Sequence, residues 1–176
     1  MGILTKFVNL CKICKVVKSF LHQFLQVFVW AWQLPQVIAG CVWCIFTHPR
    51  YLYSHHHVHL FTCRFGGGVS FGPMAFYDER HREGLLSRDP RVMPYITHEY
   101  GHSMDSRLWG PLYLLTIGIP SGVHLWVREW FKARWPRLEN YYDFYTERRA
   151  NRKAGVEVVK TPAGQYALRM TRAAKL

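Results

Sequence analysis

Two long stretches without Asp, Glu, Lys or Arg dominate the hydrophobic pattern of this chain, at residues 20–46 and 108–127. Each is long enough for the roughly 20 residues with which a helix crosses a bilayer. The first is interrupted by Pro35 and four glutamines, and the second by Gly110-Pro111 and Gly118-Ile119-Pro120. Because proline breaks helices, we expect N-terminal hydrophobic helices with a break at Pro35 and a bent hydrophobic hairpin at 108–127.

An amphipathic helix is predicted between these stretches, from Pro94 to the Gly110-Pro111 stop. Apolar side chains recur there at every fourth position, namely Ile96, Tyr100, Met104 and Leu108. At about 100° per residue, the opposite side of this helix carries His98, His102 and Asp105. The pattern therefore predicts that the apolar stripe packs on a core and that the polar side faces a cleft.

Shorter elements are predicted on either side of this helix. Residues 66–77 combine a glycine-rich turn with one or two short strands. Residues 138–153 predict a second helix, ended by Gly155. One face of that helix carries polar side chains four residues apart: Glu139, Asp143, Glu147 and Asn151. We expect the basic segment after it, 156–176, to be a loosely ordered tail.

The chemistry of the first helix is concentrated in residues 98–102, which read His-Glu-Tyr-Gly-His. On a helix, His98 and His102 lie on one face and can bind one Zn²⁺, while Glu99 can take a proton from a water at the metal. Composition alone produces this pattern about 0.02 times in a chain of this kind. Two interpretations of Asp105 stay open: it orients a ligand imidazole, or it is a solvated residue near the helix end.

A hydrolytic zinc site needs a third protein ligand and an open position for water. Glu147 is the best candidate, with Asp143 as the alternative. Like charges four residues apart on a helix repel, so a cation would relieve their repulsion, although pairing with Lys or Arg in solution would also do so. Tyr142, Tyr145 and His124 are all candidates for donating to an oxyanion, and the sequence does not choose among them.

Two resemblances strengthen this interpretation. The pattern Thr-Glu-x-x-Ala-Asn at 146–151 resembles the Asn-Glu-x-x-Ser-Asp helix of thermolysin-like gluzincins, which implies Glu147 as the third ligand and Asn151 as the support of a ligand histidine. A longer resemblance, to small bacterial proteins with an HEYGH motif, covers segments 32–36, 67–72, 98–106, 110–114, 118–121 and 141–151. It implies a zincin-like site beside hydrophobic segments and no particular substrate. In zincin folds an edge strand binds the substrate backbone, a role that would fall to 69–76.

The charge of the chain bears on its partners. The net charge is +12, although 49% of the residues are apolar and 16% are aromatic. Such a chain suits an anionic membrane surface or a nucleic acid. No nucleic-acid-binding module is recognisable, so membrane lipid is the expected partner. By the positive-inside rule the N-terminus is expected to be cytoplasmic, because four lysines precede the first apolar run: Lys6, Lys12, Lys15 and Lys18.

The cysteines and the histidines at 55–59 are not expected to take part in catalysis. The two C-x-x-C pairs, Cys11/Cys14 and Cys41/Cys44, are expected to be buried or interfacial thiols. On a strand, alternation would place His55, His57 and His59 on one face, as a possible adventitious metal site. A solvated histidine-rich loop is the favoured interpretation of this segment.

The second hydrophobic run constrains the topology, because it lies between His102 and Glu147. A single crossing would place these ligands on opposite sides of about 30 Å of hydrocarbon. Either the run turns back at its breaks, or it is buried in protein, or Glu147 is not a ligand.

The sequence thus predicts an α+β, mostly helical fold with a zincin-like pair of active-site helices and a short strand or hairpin. Its expected parts are an anchor at 1–48, a metal-binding domain at 49–155 and the tail. The expected function is zinc-dependent, membrane-associated hydrolysis of peptide or protein substrates by a metal-activated water. The alternative is a non-enzymatic membrane protein with a structural metal site. Binding of nucleic acid is not expected.

Overall fold

A computed structural model describes residues 19, 21, 23–64, 67–131, 134 and 140–171, in two compact units. The first unit is Met1–Trp32, in which helix α1 spans Gln23–Trp32. The second is Gln33–Leu176 and carries every other element named below. Several residues of the sequence predictions lie outside the described residues: Lys6, Lys12, Lys15, Lys18, Cys11, Cys14 and Glu139.

The second unit begins with helix α2, Leu34–Thr47, which has Pro35 in its first turn and ends at His48 in a left-handed conformation. A four-stranded sheet follows, with strands β1 (Arg50–His55), β2 (Val58–Cys63), β3 (Val69–Phe71) and β4 (Met74–Asp78). The strand order is β1-β2-β4-β3, in which β2 and β4 are parallel and the other pairs are antiparallel. Gly72, at φ +62°, turns the chain between β3 and β4.

The helical part follows the sheet. Helix α3 spans Arg82–Leu86 and helix α4 spans Met93–Trp109. A 3₁₀ turn (Gly110–Leu112) and a π-helical turn (Leu114–Gly118) lead into α5, Ile119–Phe131. Another 3₁₀ turn (Tyr141–Asp143) precedes α6, Tyr145–Ala154, and the antiparallel strands β5 (Val156–Lys160) and β6 (Tyr166–Met170) complete the unit. The predicted α+β, mostly helical class is confirmed.

The four-stranded sheet carries a helix on each face. Ala75 of β4 and Leu60 of β2 pack with Ile96 of α4, and all three are almost fully buried. Phe76 points to the opposite face, where it packs with Val37 and other side chains of α2. Because β2 and β4 are covered on both faces, they fix the position of α4 within the core.

Three predictions about these elements are wrong in part, although Ile96 packs in the core and Gly155 ends the second helix as predicted. In α4 the side chains of His98, His102 and Asp105 are buried, whereas Leu108 is 62% exposed, because α6 packs against the polar side of the helix. The helix predicted from residue 138 begins only at Tyr145, after an extended Phe144, which leaves Asp143 off its face. The supposedly loose tail forms β5 and β6 through residue 170.

The hydrophobic runs are divided into short elements. Within the described ranges, no single helix is long and apolar enough to cross a bilayer, and α1 and α2 meet that criterion only when taken together across Gln33. The run 108–127 is distributed over the end of α4, the two irregular turns and most of α5. It does not separate α4 from α6, which pack directly on each other, and this excludes the single crossing.

Candidate metal centre

The centre lies where α4 and α6 approach each other most closely. Gly101 of α4 faces the backbone of Ala150 in α6 so closely that a Cβ added to the glycine would lie 2.9 Å from the Ala150 carbonyl carbon. This approach places Glu147 against both histidines of the motif. Its Oε2 atom is 3.1 Å from His98 Nε2 and 3.3 Å from His102 Nε2. All three side chains are buried.

The spacing of these atoms fits a bound metal ion. In a tetrahedral site with ligands about 2.0–2.1 Å from zinc, neighbouring ligand atoms are roughly 3.3–3.4 Å apart. The two separations from Glu147 Oε2, 3.1 and 3.3 Å, are close to that value, and all three ligand atoms lie within 4.8 Å of one another. Among the described residues, this is the group of three or more His, Cys, Asp or Glu side chains that could hold a metal ion. Asp143, the alternative third ligand, is not part of it.

The tautomer of His98 also supports a metal ion bound between the histidines and Glu147. Its Nδ1 is 2.7 Å from Asn151 Oδ1, and because an amide oxygen only accepts, Nδ1 carries the proton. In a neutral ring, Nε2 then presents a lone pair toward the carboxylate oxygen of Glu147. Such a contact at 3.1 Å is stable only when a positive charge lies between the two atoms, which a second proton on the imidazole supplies without a metal and a bound metal ion would supply for both histidines at once. Asn151 thus occupies the supporting position that the gluzincin resemblance implied.

Opposing effects act on the charge of Glu147. Burial raises its pKa, but the charge of His102 and hydrogen bonds with both histidines outweigh burial and hold the pKa well below its usual range. Its other oxygen, Oε1, accepts hydrogen bonds from Ser121 of α5 and from Thr146, the latter at 3.0 Å. Glu147 is therefore an ionised carboxylate with one oxygen directed at the imidazoles.

Glu99 lies beside the three ligands and is equally buried. Burial raises its pKa to about 7, with an opposing contribution from His98 and a reinforcing one from Glu147. Its Oε2 atom has no hydrogen-bond partner within the described part of the chain. Gly68 passes close to its Oε1 atom, so a side chain at that position would displace the end of this carboxylate. Glu99 is thus a buried carboxylate with unused acceptor capacity.

Asp105 fits neither interpretation drawn from the sequence. It is fully buried, and its Oδ1 atom accepts from Arg149 at 2.7 Å and forms an ion pair with Lys153. Arg149 and Lys153 both belong to α6, so Asp105 joins the two ligand-bearing helices. It neither contacts a ligand imidazole in a hydrogen bond nor lies in solvent. His102 Nδ1 has no hydrogen-bond partner among the described residues.

The three candidate oxyanion donors are placed differently. Tyr145 is turned away, because its hydroxyl donates to the carbonyl of Thr116 and its surface is half exposed. His124 stacks on Phe144 with ring centres 4.1 Å apart, and burial lowers its pKa while Glu147 opposes that shift. Tyr142 makes an edge contact with His98, at 5.8 Å between ring centres.

The histidine segment at 55–59 is not one strand face. His56 and His57 form the turn between β1 and β2, which breaks the predicted alternation. His57 packs against α4, where its Nε2 is 3.2 Å from Ser103 Oγ. Burial, followed by the charges of Arg107 and His56, lowers its pKa to about 4. The favoured solvated loop is therefore only partly right, since this histidine packs against the motif helix.

Sequence reasoning missed three polar side chains at the centre. Ser121 and Thr146 bind Glu147 Oε1, and the hydroxyl of Tyr141 is 3.0 Å from that of Ser121. Ser121 belongs to segment 118–121 of the HEYGH resemblance, and that resemblance was the one indication in the sequence that this residue matters. No pattern in the sequence connects it with Glu147, 26 residues later.

Comparisons with protein-family models, with curated proteins and with solved structures found no match to this chain. Its function is therefore inferred from the geometry of the centre.

Proposed function

We propose that this chain is a zinc-dependent, membrane-associated metallopeptidase with a zincin-like site. His98, His102 and Glu147 would hold the metal. Two imidazoles and one carboxylate are a donor set typical of catalytic zinc, which keeps one position open. The HEYGH family resemblance supports the same class of site.

The observation that carries this proposal is Glu99. A buried carboxylate without a hydrogen-bond partner at Oε2 is costly, and a structural metal site has no use for one. A zinc ion, when bound, supplies a lowered pKa for water and polarisation of a carbonyl. Glu99 would take the proton of the attacking water and deliver it to the leaving amine, as a positioned general base and acid does.

Peptides or proteins are the proposed substrates, bound by strand addition. Strand β3 is at the edge of the sheet, pairs only with β4 within it and packs against α4. Gly68, directly before β3, lies over the carboxylate of Glu99. A peptide added along this edge would therefore run past the general base, with main-chain hydrogen bonds holding it.

Association with a membrane is supported by exposed apolar side chains in two segments of the second unit. In α2, those more than half exposed are Leu34, Ile38, Ile45 and Phe46. Those in 108–131 are Leu108, Leu112, Leu115, Ile119, Val123, Trp126 and Trp130. Large exposed apolar patches on a chain of net charge +12 favour an anionic bilayer over a nucleic acid, which needs polar and basic contact surfaces. A cytoplasmic N-terminus remains part of the proposal.

The experiment that tests the enzyme is Glu99→Gln. The amide keeps the size of the side chain but removes the base, so turnover should fall by at least about 10²-fold while bound zinc stays near one per chain. The readouts are metal content and cleavage of a peptide library in detergent. Glu157→Gln changes an exposed glutamate of β5; it is the matched control and should leave both unchanged.

The alternative, a structural metal site in a non-enzymatic membrane protein, predicts different results. It would be favoured if wild type and Glu99→Gln cleave alike, or if neither cleaves while zinc is bound. His98→Ala and His102→Ala should abolish stoichiometric zinc under either function. Full zinc in the double variant would refute the centre itself.

A further inference from the structure

Ser121 of α5 donates a hydrogen bond to the carboxylate of Glu147. We propose that Ser121 is a positioning residue, which fixes this carboxylate so that Oε2 alone faces the imidazoles. The inference rests on the proposed metal centre but not on peptidase activity.

Both oxygens of a free carboxylate are equivalent, so the group can rotate or bind a metal through either one. Here Oε1 is held by two hydroxyl donors, Ser121 and Thr146, and Oε2 is left to His98 and His102. Hydrogen bonds to an ionised acceptor are about twice as strong as neutral ones. Because Glu147 is fully buried, these donors determine its orientation.

A third hydroxyl group, that of Tyr141, belongs to the same chain of hydrogen bonds. A serine has one hydroxyl proton, and an ionised carboxylate can only accept, so Ser121 donates to Glu147. The oxygen of Ser121 must then accept from the hydroxyl of Tyr141, 3.0 Å away. Tyr141 thus donates a hydrogen bond to Ser121, and Ser121 donates one to Glu147.

This arrangement gives α5 a role in the centre. The inner side of the helix presents Ser121 to the ligand, while Val123 and Trp126 on the same helix are exposed. The segment between the two ligand-bearing helices therefore supplies a group to the site as well as apolar surface.

The test compares Ser121→Ala, Ser121→Thr and the control Ser106→Ala. Ser106 is also a hydroxyl donor, in α4, but it donates to Gln33 and not to a ligand. Zinc affinity is measured by competition with a chromophoric chelator, ligand geometry by the visible spectrum of the cobalt-substituted protein, and folding by thermal unfolding without metal. Tyr141→Phe is included as a milder change.

Ser121→Ala should bind zinc about 10- to 100-fold more weakly and shift the cobalt spectrum, as loss of a group that orients a ligand does. Ser121→Thr, which keeps the hydroxyl, should restore the affinity, and Ser106→Ala should match wild type. Tyr141→Phe should weaken binding by about 2- to 10-fold, the worth of one hydrogen bond. Should Ser121→Ala not fold, the threonine and phenylalanine variants carry the test.

Wild-type zinc affinity and an unchanged cobalt spectrum in Ser121→Ala would overturn the role of Ser121 alone. The same conclusion follows if Ser121→Thr fails to rescue while both variants lower thermal stability equally, since that is a packing effect. A wild-type chain that binds no metal would overturn the centre and this role together.

Discussion

The close approach of α4 and α6 makes Gly101→Ala an informative perturbation. In an ordinary helix this change is favourable, by about 1 kcal/mol. At Gly101 the added Cβ would collide with the carbonyl oxygen of Ala150 and lie 2.9 and 3.1 Å from the carbonyl carbon and Cα of that residue. Carbon atoms in contact prefer about 3.5–4.0 Å. The helices must therefore separate by roughly 0.6 Å or more to admit the methyl group.

That separation acts on both stability and metal binding. Overpacking costs about 1–3 kcal/mol, which leaves a net loss of up to about 2 kcal/mol after the helical gain. For a chain of this length, that loss lowers the Tm by up to about 8 °C. Glu147 and Asn151 flank Ala150 on α6, so both move away from the histidines. Because metal–ligand distances tolerate only about 0.2 Å, zinc affinity should fall at least about tenfold.

The assay is thermal unfolding of the metal-free protein together with chelator competition for zinc. Gly122→Ala is the matched control: it is a helical glycine of α5, and its Cβ would meet no atom within 4 Å. It should gain up to about 1 kcal/mol and keep its zinc affinity. If Gly101→Ala is stabilised to the same degree and binds zinc as tightly as wild type, the proposed packing of α4 on α6 is wrong.

Two further predictions concern the support of a ligand and the membrane. Asn151→Ala removes the acceptor of His98 Nδ1 and should weaken zinc binding about 10- to 100-fold in the chelator assay, and an unchanged affinity would exclude Asn151 as the support. In cell fractionation the chain should pellet with membranes and resist carbonate extraction, because apolar side chains such as Ile45 and Trp130 are exposed. Recovery in the soluble fraction would contradict the proposed membrane association.

The sequence by itself determined the local chemistry. The spacing of His98 and His102 places two imidazoles on one helical face wherever that helix lies, because spacing on a helix depends only on its geometry. Proline and glycine likewise marked the ends of α4, since their backbone preferences are local. The break predicted at Pro35 falls at Gln33, and the chain stays helical through the break predicted at Gly118-Ile119-Pro120. The one or two short strands predicted up to residue 77 correspond to β3 and β4, and the glycine-rich turn before them was the local signal.

Only the tertiary structure decided which faces are buried and which distant groups meet. The polar side of α4 is buried because α6 supplies a carboxylate for its histidines and two cations for Asp105. The pairing of Ser121 with Glu147 depends on how α5 packs, which no local spacing encodes. Gly101 lies between the two histidine ligands in the sequence, but nothing in the sequence marks it as important. Its importance comes from the backbone of a helix about 50 residues away, so contact across the fold, and not local preference, explains the residue.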